Sequence, residues 1–310
     1  MRVFVAGATG AIGRPLVARL LEAGHEVIGM TRSDERAADL REGGAEAVVC
    51  DAHDSEALRA AVTGARPEVL VHQLTDLPQE FNPRYDYGTT NELRSQVTRD
   101  LIAAARDAGA GRFVAQGVAF FYVPTGSMVK DEEDPVTTSE VADGKFAEAG
   151  DALADLERQV LGAEGMDGLV LRYGFFYGPG TWFAEDTKLA KAYRLRLAPI
   201  VGSGEGVFSF VHVDDAAAAT VAAVERAAPG IYNVVDDEPA AANDWMPAFA
   251  EAVGGEPPLR VPAVVGRAAG GQNAEAMETM RGASNAKAKR ELGWEPRYAS
   301  WRQGFKEGLR

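Results

Sequence analysis

The residues with the most legible chemistry are Gly7, Gly10 and Gly13, in the run Gly7-Ala8-Thr9-Gly10-Ala11-Ile12-Gly13. They follow the apolar stretch Val3–Ala6 and open a helical pattern whose apolar positions are Ile12, Leu16, Leu20 and Leu21. Between a strand and a helix, the first glycine permits a sharp turn and the second lets the backbone approach a diphosphate. The third lets the helix pack closely on the strand. Free N–H groups and the dipole at the helix start then hold the negative charge. Thr9, Ala11 and Ile12 are expected against the same ligand. Spaced glycines alone are a weak signal, but in the first strand–turn–helix unit a mere tight turn is the poorer reading. About 20 residues further on, where an acid usually holds the ribose hydroxyls of NAD, the chain reads Met30-Thr31-Arg32-Ser33. An arginine there pairs with a 2′-phosphate, so NADP(H) is the expected cofactor and NAD(H) the alternative. Arg32 as an ordinary solvated loop residue is the competing reading. Asp51, past the next strand, is placed either to meet the adenine edge or to cap the segment behind it.

The elements that must position this loop alternate along the first two-thirds of the chain. Strands are expected at Val3–Ala6, Glu26–Met30, Ala45–Cys50, Val69–Leu74, Arg112–Gln116 and Gly168–Arg172, and helices at Ala11–Ala23, Ser33–Glu42, Ser55–Thr63, Glu92–Ala108 and Ala147–Leu161. Such alternation implies parallel strands joined by crossovers, hence an α/β doubly wound Rossmann-type sheet. Pro15 in a first turn, Gly24 after a last turn, and Ser33 and Asp54 as N-caps agree in phase. Beyond Arg172 the rhythm breaks. A turn cluster at 177–181 precedes an expected helix Trp182–Arg194, a strand near Phe208–Val213, a helix Asp214–Ala227 and a strand Gly230–Val235, with Ser284 capping a helix Asn285–Leu292.

Composition bounds the function. At 310 residues, 46% hydrophobic and 25% charged, the chain is globular, which excludes disordered and fibrous classes. Its net charge of −14 repels phosphate backbones and anionic membranes, so nucleic acid and membrane partners are not expected. Cys50, the single cysteine, reads as a buried inert thiol. The opening residues read as a strand entering a glycine turn, so no signal peptide is expected, and no apolar run approaches membrane-spanning length. A soluble cytoplasmic protein acting on a small molecule follows, with nothing at metal-ligand spacing.

The glycine spacing, the Asp51-Ala52 step, the run Leu171-Arg-Tyr-Gly-Phe-Phe-Tyr-Gly-Pro-Gly180, the segment Phe208-Ser-Phe-Val-His-Val-Asp-Asp215 and the stretch Asn285–Pro296 together resemble the extended short-chain dehydrogenase/reductase family, in its NAD-dependent epimerase/dehydratase branch. The resemblance covers essentially the whole chain. It implies a seven-stranded sheet, with residues 1–172 and 206–238 binding the dinucleotide and 173–205 and 239–310 forming a small substrate domain. It also implies that Ala52, Gln73, Leu74, Thr75, Gln116, Tyr173, Gly174, Phe175 and Phe176 line the cofactor. Members of that family carry Tyr-x-x-x-Lys on a helix and a serine or threonine after the fifth strand, the tyrosine moving the proton. Those places fall here at Ala149, Leu153 and Val118, beside Gly117, and an asparagine common early in the fourth helix is replaced by Arg94.

Groups that could still do chemistry are Tyr122, on the exit of the fifth strand, Tyr177 after the sixth, and Lys145 ahead of the next helix. Each has a plain alternative, a packed ring or an exposed lysine. Phe120, Phe121, Phe175, Phe176, Trp182 and Phe183 suggest an apolar or aromatic ligand. The expected function is an NADP(H)-dependent oxidoreductase of a small carbonyl or alcohol, with Tyr122 or water as the proton source. A redox-neutral epimerase, isomerase or lyase retaining its nucleotide, or a non-catalytic NADP(H) sensor, are the alternatives. A homodimer through Glu92–Ala108 and Ala147–Leu161 is the expected assembly.

Overall fold

In the computed structural model, residues 1–82, 85–270 and 272–310 are described. Seven short strands form the central sheet: β1 (Arg2–Ala6), β2 (Glu26–Thr31), β3 (Glu46–Val49), β4 (Val69–His72), β5 (Arg112–Val118), β6 (Asp167–Tyr173) and β7 (Gly230–Val234). Their order is β7-β6-β5-β4-β1-β2-β3, and every pairing is parallel. Parallel strands covered on both faces carry continuous apolar runs rather than alternation, and β4, Val-Leu-Val-His, is buried at every position. One face packs under helices α1 (Gly13–Glu22) and α8 (Val213–Arg226). The other packs under α3 (Ser55–Ala65), α5 (Thr98–Asp107) and α6 (Lys145–Leu161). The order reverses between β1 and β4, so the loops leaving those neighbours run to opposite faces and open a crevice between them. A third core of aromatic rings, including Phe210, Trp245, Phe249, Trp301 and Phe305, belongs to the later part of the chain.

Three elements differ from the sequence expectation. The helix expected at Trp182–Arg194 is only Lys188–Arg194. Thr187 acts as its N-cap, accepting from the Ala190 N–H at 3.1 Å, and turns its hydroxyl back on the Trp182 carbonyl at 2.9 Å, so the preceding segment stays irregular. The strand expected at Phe208–Val213 is split at Ser209, whose carbonyl accepts from Phe175 N at 2.8 Å. The helix expected from Glu92 begins at Gly88 and contains a π turn, Leu93–Val97, before α5.

A buried ion pair ties α6 to the sheet. Arg172 on β6 makes two bonds to Glu157, Nε to Oε1 at 2.6 Å and Nη2 to Oε2 at 2.7 Å. Burial works against the guanidinium charge, but the carboxylate outweighs it and the Arg172 pKa is raised. Removing one partner strands the other in a dry site. Glu157→Gln should therefore lower unfolding free energy by about 3–5 kcal/mol, and Glu157→Leu combined with Arg172→Met should recover most of the loss. Urea denaturation of the three proteins measures both.

Candidate active-site cleft

The phosphate loop is held by contacts that leave no room for side chains. Gly7 has φ +93°, and a Cβ there would lie 2.8 Å from the Gln73 carbonyl carbon and oxygen. A Cβ on Gly13 would lie 2.1 Å from the Gly7 carbonyl oxygen. Gly10 differs: apart from Gly7 O at 3.4 Å, its Cβ would meet nothing within 4 Å, because it points into the cleft. Ile12 stands at the N-cap of α1 and offers no capping side chain, and the first turn carries no acid. Arg14 N is bonded to Gly10 O at 3.2 Å and Pro15 has no N–H, so what the uncapped start offers an anion is the helix dipole and the N–H groups of the loop just ahead of it. These features fit a diphosphate.

The cleft encloses about 1290 Å³, more than a single drug-sized ligand needs. Its walls bring together Thr9, Gly10, Ala11, Ile12, Arg32, Gln73, Thr75, Gln116, Tyr173, Gly174, Phe175, Phe176 and Lys145, drawn from six separate stretches of sequence. Arg32 is largely exposed at the mouth, 3.8 Å from Asp76. Arg36, in the first turn of the helix Asp34–Glu42 that follows, shares the wall. Tyr173 is buried, hydrogen-bonded to Thr220 at 2.7 Å and accepting from Gln73 at 3.2 Å, and burial raises its pKa. All six expected aromatics reach the cleft, with Phe120 stacked on Phe175 at 4.0 Å. Phe146, Tyr85 and Tyr87 join them. The two tyrosines lie in an irregular segment without periodicity, which hid them from sequence reasoning.

Several expected residues sit elsewhere. Gly7 and Gly13 shape the loop from behind. Asp51 turns its carboxylate onto His53 N at 3.1 Å, and Ala52 is buried; neither belongs to the cleft wall. Leu74 is also outside that wall, its N–H given to His72 Nδ1 at 3.2 Å.

The Tyr122 assignment needs correction. Its hydroxyl donates to Asn233 Oδ1 at 2.7 Å and accepts from Arg172 at 3.1 Å, beneath the cation of the buried ion pair. Burial raises its pKa despite that neighbour, and it faces away from the cleft. A bridge between Tyr122 and Val136 fixes the strand exit in this sense. Tyr177 is likewise misplaced for proton transfer. It is fully buried in the aromatic core, its phenol pKa is raised by burial and then by Asp236 and Asp215, and a Cβ on Gly304 would sit 2.0 Å from its oxygen. Lys145 does face the cleft, in an exposed ion pair 3.4 Å from Asp86.

Val118, Ala149 and Leu153 pack together with Phe121 in one apolar cluster, against which Tyr87, Phe120 and Phe146 lean. Where this cluster reaches the cleft, at Val118 and Phe121, it offers hydrocarbon where a proton relay would need hydroxyls. His72, at the end of β4, is neutral: burial lowers its pKa to about 4, and its Nε2 meets Leu93 O at 3.3 Å and Thr98 Oγ1 at 3.1 Å.

Residues 3–234 match the model of the NAD dependent epimerase/dehydratase family. The chain belongs to that family. It is an oxidoreductase of the kind, built for a nicotinamide cofactor. It is 45% identical over 307 residues to a 3-diazoavenalumate denitrifying reductase from a Streptomyces species, covering 98% of this chain and 99% of that protein. A 2-alkyl-3-oxoalkanoate reductase of Stenotrophomonas maltophilia is 27% identical over 267 residues, 82% of this chain and 76% of that one. The crystal structure of human epimerase family protein SDR39U1 with NADPH superposes with a TM-score of 0.74 at 21% identity, over 100% of this chain and 99% of that one.

Two substitutions separate the loop from the network behind it. Gly10→Val should abolish binding of either nicotinamide dinucleotide while leaving the melting temperature unchanged, because its added carbons occupy only the cleft. Tyr122→Phe should cost about 1 kcal/mol of stability and leave cofactor affinity as it was. Calorimetric titration with thermal melts reads both.

Proposed function

We propose that this protein is an NADP(H)-dependent reductase of a small aromatic electrophile, and that it supplies no proton to the reaction from its own side chains. The observation that carries the reading is the apolar cluster of Val118, Ala149 and Leu153, which reaches the cleft through Val118 and Phe121, with Tyr122 turned away. In the resemblance stated above, those are the places of the proton-transfer residues. Bound in the cleft, a reduced nicotinamide supplies a hydride. The chain's own residues orient and exclude: Gly10 and the loop N–H groups just ahead of α1 take the diphosphate, Arg32 and Arg36 meet a 2′-phosphate, and the phenylalanines hold an aromatic ring dry.

Hydride acceptors that need no protonation fit such a wall. A diazo-bearing aromatic is one, and the relative at 45% identity is named for a diazo substrate. One aryldiazonium cation and one hydride give one arene and one dinitrogen, with no proton left to place. A carbonyl acceptor is the second reading, favoured by the relative named as an oxoalkanoate reductase. It needs an acid, and Tyr87 is the cleft phenol for that role, kept protonated because burial raises its pKa.

The two readings part on one experiment. With a diazobenzoate as substrate, NADPH consumption should match dinitrogen release, and Tyr87→Phe should turn over at the unmodified rate. Turnover confined to aromatic ketones, falling about 10²-fold in Tyr87→Phe, would overturn the proposal in favour of carbonyl reduction. For the cofactor, Arg32→Glu should weaken NADPH about 10- to 100-fold by replacing a charge-assisted bond with repulsion, leaving NADH unaffected. Equal affinities for both cofactors in the unmodified protein would contradict the preference.

A further inference from the structure

Among the described residues, Arg94 is a charge without a counter-charge. It sits on the π turn Leu93–Val97, lines the cleft, and is only 6% exposed. Its Nη1 has no hydrogen-bond partner. Among the described residues the ionisable groups that favour its charge are the phenols of Tyr87 and Tyr85, and no carboxylate is among them. Burial lowers its pKa to about 10, so it is still a cation at neutral pH. The other buried arginine, Arg172, has Glu157 in forked contact. An unpaired buried guanidinium is strongly unfavourable unless a partner arrives.

Among the described residues, the cleft's remaining cations are already engaged or lie at the cofactor end. Lys145 pairs with Asp86, Arg14 stands on α1 beside the phosphate loop, and Arg32 and Arg36 stand at the mouth by the second strand. Arg94 belongs to the opposite end. Tyr87, whose phenol it feels, leans on the cluster of Val118, Phe121, Ala149 and Leu153. Beside it, Phe121 and Phe146 lie parallel with centroids 4.0 Å apart, a face suited to an aromatic ring. The turn that presents Arg94 is pinned, because Leu93 O accepts from both His72 Nε2 and Thr98 Oγ1. Single π turns within helices occur frequently at functional sites.

We propose that Arg94 is the anchor for a carboxylate borne by the aromatic substrate, the forked pair forming when the substrate enters. This rests on the cleft being the substrate site of the reductase described above. A planar carboxylate matches the two parallel N–H groups of a guanidinium. One cation suits a monoanion, and Asp76, Glu80, Asp186 and Asp214 elsewhere on the walls disfavour a dianion such as a phosphate ester. Arg94 therefore sets which end of the substrate lies deepest and selects aromatic acids over their neutral analogues.

The test needs binding only, so it stands apart from whether the protein turns over any given substrate. Protein loaded with NADP⁺ is titrated calorimetrically with cinnamate and with cinnamamide, which share the ring and differ in charge. Cinnamate should bind at least about 10-fold tighter. Arg94→Gln should erase that preference while cinnamamide and NADP⁺ affinities hold, and Lys145→Gln should keep it. Arg94→Lys, a backup should the glutamine variant not fold, should bind cinnamate several-fold more weakly because an ammonium cannot make the fork. Equal affinities in the unmodified protein, binding of neither probe, or a preference surviving Arg94→Gln would overturn the proposal. So would cinnamate affinity unchanged in Arg94→Lys, loss of the preference with Lys145→Gln, or weakened NADP⁺ binding in Arg94→Gln. Failure of NADPH consumption alone would bear on the reductase reading and not on this one.

Discussion

Backbone closeness at the switch between β1 and β4 is the constraint on which the site depends. Gly7 lies against the Gln73 backbone and Gly13 against the Gly7 carbonyl, so closely that no side chain fits at either place. That contact starts α1 directly behind the loop and leaves its start without a side-chain cap. Everything along the cleft is positioned relative to this corner, because β4, β5 and β6 continue the sheet outward from it in register.

Two arginines show how the fold handles buried charge in opposite ways. Arg172 is satisfied within the protein: Glu157 takes its fork, the Tyr122 ring lies 5.2 Å from its guanidinium carbon, and the Tyr122 hydroxyl accepts another N–H. Its pKa rises, and the group is structural. Arg94 is similarly buried, yet its pKa falls to about 10 because burial outweighs what Tyr87 and Tyr85 offer and no carboxylate among the described residues pairs with it. The first arrangement explains why Tyr122 is not at the cleft. The second leaves a cation facing a wall that is otherwise aromatic and aliphatic. Apart from that cation and the Tyr87 phenol, such a wall has little to offer a developing alkoxide, which favours an acceptor that is electrophilic before the hydride arrives.

The sheet was legible because its strands are continuous apolar runs separated by capped amphipathic helices, and the phosphate loop because glycine spacing and context coincide. Ends were less legible: whether 182–187 is helical depends on the Thr187 hydroxyl, which competes with helix carbonyls in a way no periodicity reveals. Tyr122 was misread for a similar reason. Its direction is set by residues 50 and 111 positions away, Arg172 and Asn233, and the local sequence carries no trace of either. Arg94 stood out as a substitution in the family pattern, but its burial and lack of a partner depend on the π turn and on Tyr85 and Tyr87, which precede it in an irregular segment. Lys145 lines the cleft, and its ion pair with Asp86 could not be foreseen from the sequence.

The central claim, hydride delivery without a protein acid, is tested most directly by tracing hydrogen in a single turnover of a diazobenzoate with NADPH deuterated at the transferable C4 position. The account predicts that the deuterium appears on the arene product and that the rate is the same in ordinary and heavy water. Product hydrogen drawn from solvent, or a rate that falls about two-fold or more in heavy water as proton transfer in the transition state requires, would contradict it.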